Sequence, residues 1–169
     1  MRRLFLLIMF ISFCTVAFCQ TAVNQKDSKG SKQGRWIYSS PAVKNECSYR
    51  DGKLHGISLF YSTQTKRILF VGEYNDGECC GTWYAFHEKG YPEWKLYNIS
   101  KYDSVYSKQG YAKNYKPQHS AIRVNYYPDG MKKSEGRILF DNDPIEDQIE
   151  FGTWYYYDKK GDLIKTIIK

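Results

Sequence analysis

Helix signals are nearly missing from this chain. No stretch combines a long apolar period of 3.6 with capping residues, so little or no helix is expected outside the first 19 residues. Histidine is scarce: His55, His87 and His119 are the only three, and no two share the three- or four-residue spacing of a metal-binding pair. No Gly-x-Ser-x-Gly elbow, phosphate loop or dinucleotide fingerprint occurs. These absences leave no catalytic residue, metal ligand or cofactor to assign. Beyond the start of the chain, no run approaches the roughly 20 apolar residues that span a bilayer. The net charge of +7 comes from lysines spread along the sequence rather than clustered. That pattern argues for solubility and against a nucleic-acid partner.

The first residues do carry a signal. Met1-Arg2-Arg3 is basic, Leu4 to Phe18 is largely apolar, and Ala17-Phe18-Cys19 places small residues where signal peptidase reads. Residues 1–19 are therefore read as a secretory signal peptide, cleaved near Cys19. The mature chain would start at Gln20 in the periplasm, at the cell surface or outside the cell. The alternative is attachment to the envelope, either through a lipid on Cys19, which Phe18 at the preceding position disfavours, or through glycan contact on exposed aromatics. A membrane partner is expected only if Cys19 is lipidated. Residues 20–33 are polar and aperiodic and read as a flexible lead-in. Residues 34–169 read as one domain.

Three cysteines remain after cleavage: Cys47, Cys79 and Cys80. Export favours a disulfide, with Cys47–Cys80 as the candidate bridge and Cys47–Cys79 as its alternative. An enzymatic reading would pair Cys79 or Cys80 with His87 as nucleophile and base, and no third group supports it. Asp141, Asp143, Glu146, Asp147 and Glu150 crowd one stretch, but Glu146 stands where an EF-hand needs glycine, so a solvated acidic loop is expected. Asn98-Ile99-Ser100 and Asp103-Ser104-Val105 match three-residue glycosylation patterns in the same irregular region.

What the sequence has in quantity is tyrosine, glycine and self-similarity. Asp51-Gly52-Lys53-Leu54-His55-Gly56 and Asp76-Gly77-Glu78-Cys79-Cys80-Gly81 share one glycine spacing. Gly81-Thr82-Trp83-Tyr84 returns as Gly152-Thr153-Trp154-Tyr155 and is echoed by Gly34-Arg35-Trp36. The Asp-Gly pairs predict tight hairpins, because glycine accepts positive φ. A second, looser turn class ends at Gly90, Gly110, Gly130 and Gly161. Trp36, Trp83 and Trp154 are expected in the core, as is Cys79, which stands where the preceding unit has Leu54. The predicted fold is all-β: an antiparallel meander of stacked β-hairpins, each burying its face against its neighbours.

Two stretches break the pattern, 97–123 and 140–151. Residues 97–123 read as a degenerate hairpin around Gly110, or as a protruding loop whose Tyr102, Tyr106, Tyr111 and Tyr115 form a candidate partner surface.

The run Tyr74-Asn75-Asp76-Gly77, three residues, then Gly81-Thr82-Trp83-Tyr84 resembles the MORN repeat, more closely its bacterial variant form. Tyr49-Arg50-Asp51-Gly52, three residues, then Gly56 is similar, while Thr65 replaces a turn glycine. The resemblance covers most of 34–169. It implies stacked hairpins, a non-catalytic binding or scaffolding role toward another protein, and for some bacterial members an antitoxin-like label.

Overall fold

The computed structural model describes residues 22–102 and 117–169. These residues form one open sheet, antiparallel throughout, with no helix among them. Its strands are β1 (Gln25–Lys26), β2 (Lys32–Ser39), β3 (Val43–Arg50), β4 (Lys53–Leu54), β5 (Gly56–Ser62) and β6 (Ile68–Asn75). They continue as β7 (Glu78–Phe86), β8 (Pro92–Lys101), β9 (His119–Tyr126), β10 (Lys132–Phe140), β11 (Ile149–Tyr157) and β12 (Leu163–Ile168). Spatial order follows chain order, except that short β4 pairs only with β3. The all-β hairpin meander read from the sequence is the architecture found.

Turn chemistry sets the meander. Asp51-Gly52 and Asp76-Gly77 each close a two-residue loop, between Arg50↔Lys53 and Asn75↔Glu78. Both residues of each pair have positive φ, 51° and 79° in the first and 51° and 91° in the second. That is the type I′ geometry whose twist matches the flanking strands. The looser class has its own signature. The carbonyls of His87, Tyr127 and Asp158 accept from the amides of Gly90, Gly130 and Gly161, each glycine again at positive φ. Gly56 and Gly81 also have positive φ but sit inside the sheet, opening β5 and within β7. In the loop where Thr65 stands, the left-handed position falls to Lys66 at φ 61°.

The largest buried cluster lies on one face. Tyr74, Cys79, Trp83, Ala85, Trp94, Leu96, Ala121, Ile138, Phe140 and Trp154 are buried together there. Trp83 and Trp154 are fully buried, and each indole lies against a glycine of the neighbouring strand, Gly72 in β6 and Gly136 in β10. The ladder shifts register at both places, between Val71 and Glu73 and between Glu135 and Arg137. Trp36 is only half-buried and lies outside this cluster. Its strand lies near the end of the sheet, where the two residues of β1 cannot supply a covering strand. Lys32 Nζ sits 4.9 Å from the Trp36 ring instead.

Residues 22–33, expected as a flexible lead-in, hold β1 and a turn. Asp27 Oδ1 accepts from the amides of Lys29 and Ser31, both at 2.9 Å, and Gly30 takes φ 83°. The same side-chain turn recurs at Asp158, which accepts from Lys160 and Asp162. Of the two irregular stretches, 97–123 is strand at both flanks, with Tyr97↔Ile122 and Lys101↔His119 paired across β8 and β9. Gly110, Tyr106, Tyr111 and Tyr115 lie outside the described residues. The stretch 140–151 is less solvated than its charge suggested. Asp143, Glu146 and Asp147 are exposed, but Pro144 is fully buried and Ile145 packs against the core.

Candidate functional site

The cysteines are buried by strand alternation. Cys79 pairs with Tyr74 on the core face of β7, the place expected from Leu54, and Cys80 follows on the other face. Cys47 is buried on β3, opposite Trp36. All three are free thiols, so neither the Cys47–Cys80 nor the Cys47–Cys79 bridge is formed. Alternation explains the first case: adjacent cysteines point to opposite faces, and Cys80 turns away from the buried side that holds Cys47.

Burial pushes the Cys79 thiol up to about 12 and raises Cys47 and Cys80 as well. That is the reverse of nucleophile activation. Thiol titration of the folded mature chain should therefore find Cys80 reacting first. Cys47 and Cys79 should be slower by at least about tenfold until denaturant exposes them. A denatured chain with one titratable thiol instead of three would show a disulfide.

The histidines do not assemble a site with these thiols. His87 stacks on Tyr91 with ring centres 4.5 Å apart, and its Nδ1 accepts from the Lys89 amide at 3.1 Å. It follows the end of β7, while Cys80 is near the start, roughly 20 Å away at the rise of an extended strand. His55 Nδ1 is 3.6 Å from Asp76 Oδ1. His119 is buried, with Nδ1 at 2.9 Å from the Asp141 carbonyl and Nε2 at 3.1 Å from Glu78 Oε2. Among the described residues, no three His, Cys, Asp or Glu side chains gather to hold a metal ion.

Of the tyrosines singled out as a partner surface, only Tyr102 is described. Its ring is 6.1 Å from that of Phe151, and its amide donates to the Gln118 carbonyl. It helps to close the β8–β9 flank.

Two other features stand out. The first is β12, the last strand of the sheet, where Leu163, Ile164 and Ile168 are 56%, 63% and 83% exposed. The lysines of this edge, which would be placed to blunt it, turn back onto their own sheet: Lys165 Nζ lies 5.8 Å from the Tyr156 ring, and Lys169 Nζ is 2.9 Å from Glu150 Oε2. The opposite edge is capped in part by the chain itself, through the two residues of β1 and through Asn24. There the Asn24 amide donates to the Arg35 carbonyl and its side chain accepts from the Ile37 amide. The second feature is a cavity of about 570 Å³ lined by residues of β8 to β11, Trp94 and Arg123 among them.

Neither feature was singled out in the sequence. Alternation of Leu163 to Ile168 shows a strand without telling that its lysines fold inward. The cavity lies beside register shifts in β8 and β10 that no motif announces. No protein-family model matches the chain.

Proposed function

We propose that this chain is an exported, non-catalytic, MORN-like repeat protein that binds or scaffolds another protein of the cell envelope. One observation carries the reading: among the described residues no strand pairs with the outer side of β12, an apolar edge, whereas at the other end β1 and Asn24 already cap much of β2. A strand edge recognises an extended segment of a partner by main-chain hydrogen bonds, and flanking apolar side chains add specificity. Edges of this kind are normally short, charged or covered, because they invite pairing. The raised thiols and the separation of Cys80 from His87 favour binding over hydrolysis.

The test places a photo-crosslinking residue at Ile168 in the full-length protein in its native host. Adducts are then read by mass spectrometry together with the mature N-terminus. The expected result is a protein adduct that disappears in an Ile164→Lys/Leu163→Lys background, on a chain starting at a free or cyclised Gln20. Intact protein without any adduct would sink the binding reading. An acylated Cys19 would establish the lipid-anchored alternative.

A further inference from the structure

The cavity on β8 to β11 lies beside two bulges of a kind that recurs along the sheet. In four hairpins the ladder shifts register by one residue just after the turn, leaving one extra residue on the outgoing strand. Those residues are Leu69 in β6, Glu93 in β8, Lys133 in β10 and Ile164 in β12. Bulges re-aim side chains, and they concentrate near binding sites. Two of the four carry apolar side chains. The other two, Glu93 and Lys133, carry opposite charges, and both line this one cavity.

Between them the lining is a connected polar set. Arg123 donates from Nε to Asn125 Oδ1 at 2.8 Å and from Nη1 to Gln148 Oε1 at 2.6 Å. Asn125 passes the chain on, donating from Nδ2 to Ser134 Oγ at 2.8 Å. The guanidinium carbon lies 5.4 Å from the Trp94 ring centre. Burial lowers the Arg123 pKa, and Glu150 and Glu93 oppose that shift. Among the described residues no acceptor engages Arg123 Nη2 and no donor engages Glu93, so both remain available.

We propose that this cavity is a saccharide site taking a neutral pyranose chain. Its charged lining residues are two cations, Arg123 and Lys133, and two anions, Glu93 and Glu150. A balanced set gives no net attraction for an ionic ligand. It does offer donors and acceptors side by side, which is what a ring of hydroxyls needs, since each hydroxyl both donates and accepts. Trp94, Tyr91 and Tyr156 also line it; each already has a neighbour on its ring, Arg123, His87 and Lys165 in turn, and the remaining ring surface toward the cavity suits the C–H face of a sugar. The volume falls in the range of small-molecule sites. The site is separate from the β12 edge, and either can fail without the other.

Calorimetric titration of the intact mature protein with maltotriose and triacetylchitotriose tests the proposal, with trigalacturonate and chitosan trimer as charged controls. Intrinsic tryptophan fluorescence serves as a second readout, with a Trp94→Phe variant identifying the part due to Trp94 among the four tryptophans. At least one neutral trisaccharide should bind in the sub-millimolar range, more tightly than either charged control. Arg123→Gln and Tyr91→Ala should each weaken it by about tenfold or more, from loss of a charged hydrogen bond or a stacking wall. Near-UV circular dichroism confirms folding of each variant, and Tyr84→Ala, outside the lining, should bind as the parent does. The proposal is overturned if neither neutral sugar binds, if a charged control binds more tightly, or if the two folded cavity variants bind unchanged.

Discussion

Gly72→Ala should unfold this protein far more readily than its one added methyl suggests, by about 3 kcal/mol or more. A Cβ at Gly72 would lie 2.0 Å from Trp83 Cδ2 and 2.2 Å from Cε2, well inside van der Waals contact. Trp83 is fully buried between strands and has no free direction in which to yield. Gly136→Ala meets the same obstacle, with Trp154 Cδ2 at 2.3 Å. Gly130→Ala makes the comparison. Its φ is 88° and the space around it is open, so backbone strain alone should cost about 1 kcal/mol. Urea midpoints of the three variants read the difference. A Gly72→Ala protein no less stable than Gly130→Ala would show that the Trp83–Gly72 contact does not hold the sheet. A smaller ring should relieve the clash, so Gly72→Ala/Trp83→Phe should recover part of the loss. Trp83 suits that rescue because its Nε1 has no hydrogen-bond partner among the described residues, whereas Trp154 Nε1 donates to the Arg137 carbonyl at 3.1 Å.

These two contacts mark where the sequence was legible and where it was not. Asp51-Gly52 and Asp76-Gly77 could be read directly, because a two-residue loop with both φ positive leaves few other residue choices. Cys79 was placed correctly in the core by aligning it with Leu54. Trp83 and Trp154 followed from the Gly-Thr-Trp-Tyr repeat, and Trp36 did not, because burial depends on the neighbouring strand as well as on the indole. The glycine partners passed unnoticed, although a lone glycine inside Phe70-Val71-Gly72-Glu73-Tyr74 is the local sign of a close backbone approach. Asp27-Ser28-Lys29-Gly30 likewise repeats Asp158-Lys159-Lys160-Gly161, which would have shown a turn where a flexible lead-in was expected. Glu93 and Lys133 carry no motif at all. They line one cavity because the register shifts in β8 and β10 fall on either side of Asn125 in β9, a relation between strands that a single sequence does not display.

His119→Ala should be the other severe substitution, at about 3 kcal/mol. The imidazole is buried and stacks on Phe140 at 5.3 Å, so its loss removes packing from the core. It also ends two hydrogen bonds to groups far apart in the chain. Nδ1 faces the Asp141 carbonyl, which can only accept, and Nε2 faces Glu78 at the start of β7. One ring therefore ties β7 and β9 to the first residue after β10, where the acidic insertion begins. A graded series separates packing from hydrogen bonding. His119→Phe keeps an aromatic ring against Phe140 but leaves the Asp141 carbonyl without its donor, and should cost about 1–2 kcal/mol. Glu78→Gln, at a half-exposed carboxylate, should cost no more than about 1 kcal/mol. Urea unfolding of the three proteins gives the order, and a His119→Ala variant within 1 kcal/mol of the parent would refute the anchoring role. If the order holds, the insertion at 140–151 is held down by the core at His119, Pro144 and Ile145. Its carboxylates then face solvent from a fixed base, so its charge alone does not mark it as a moving part.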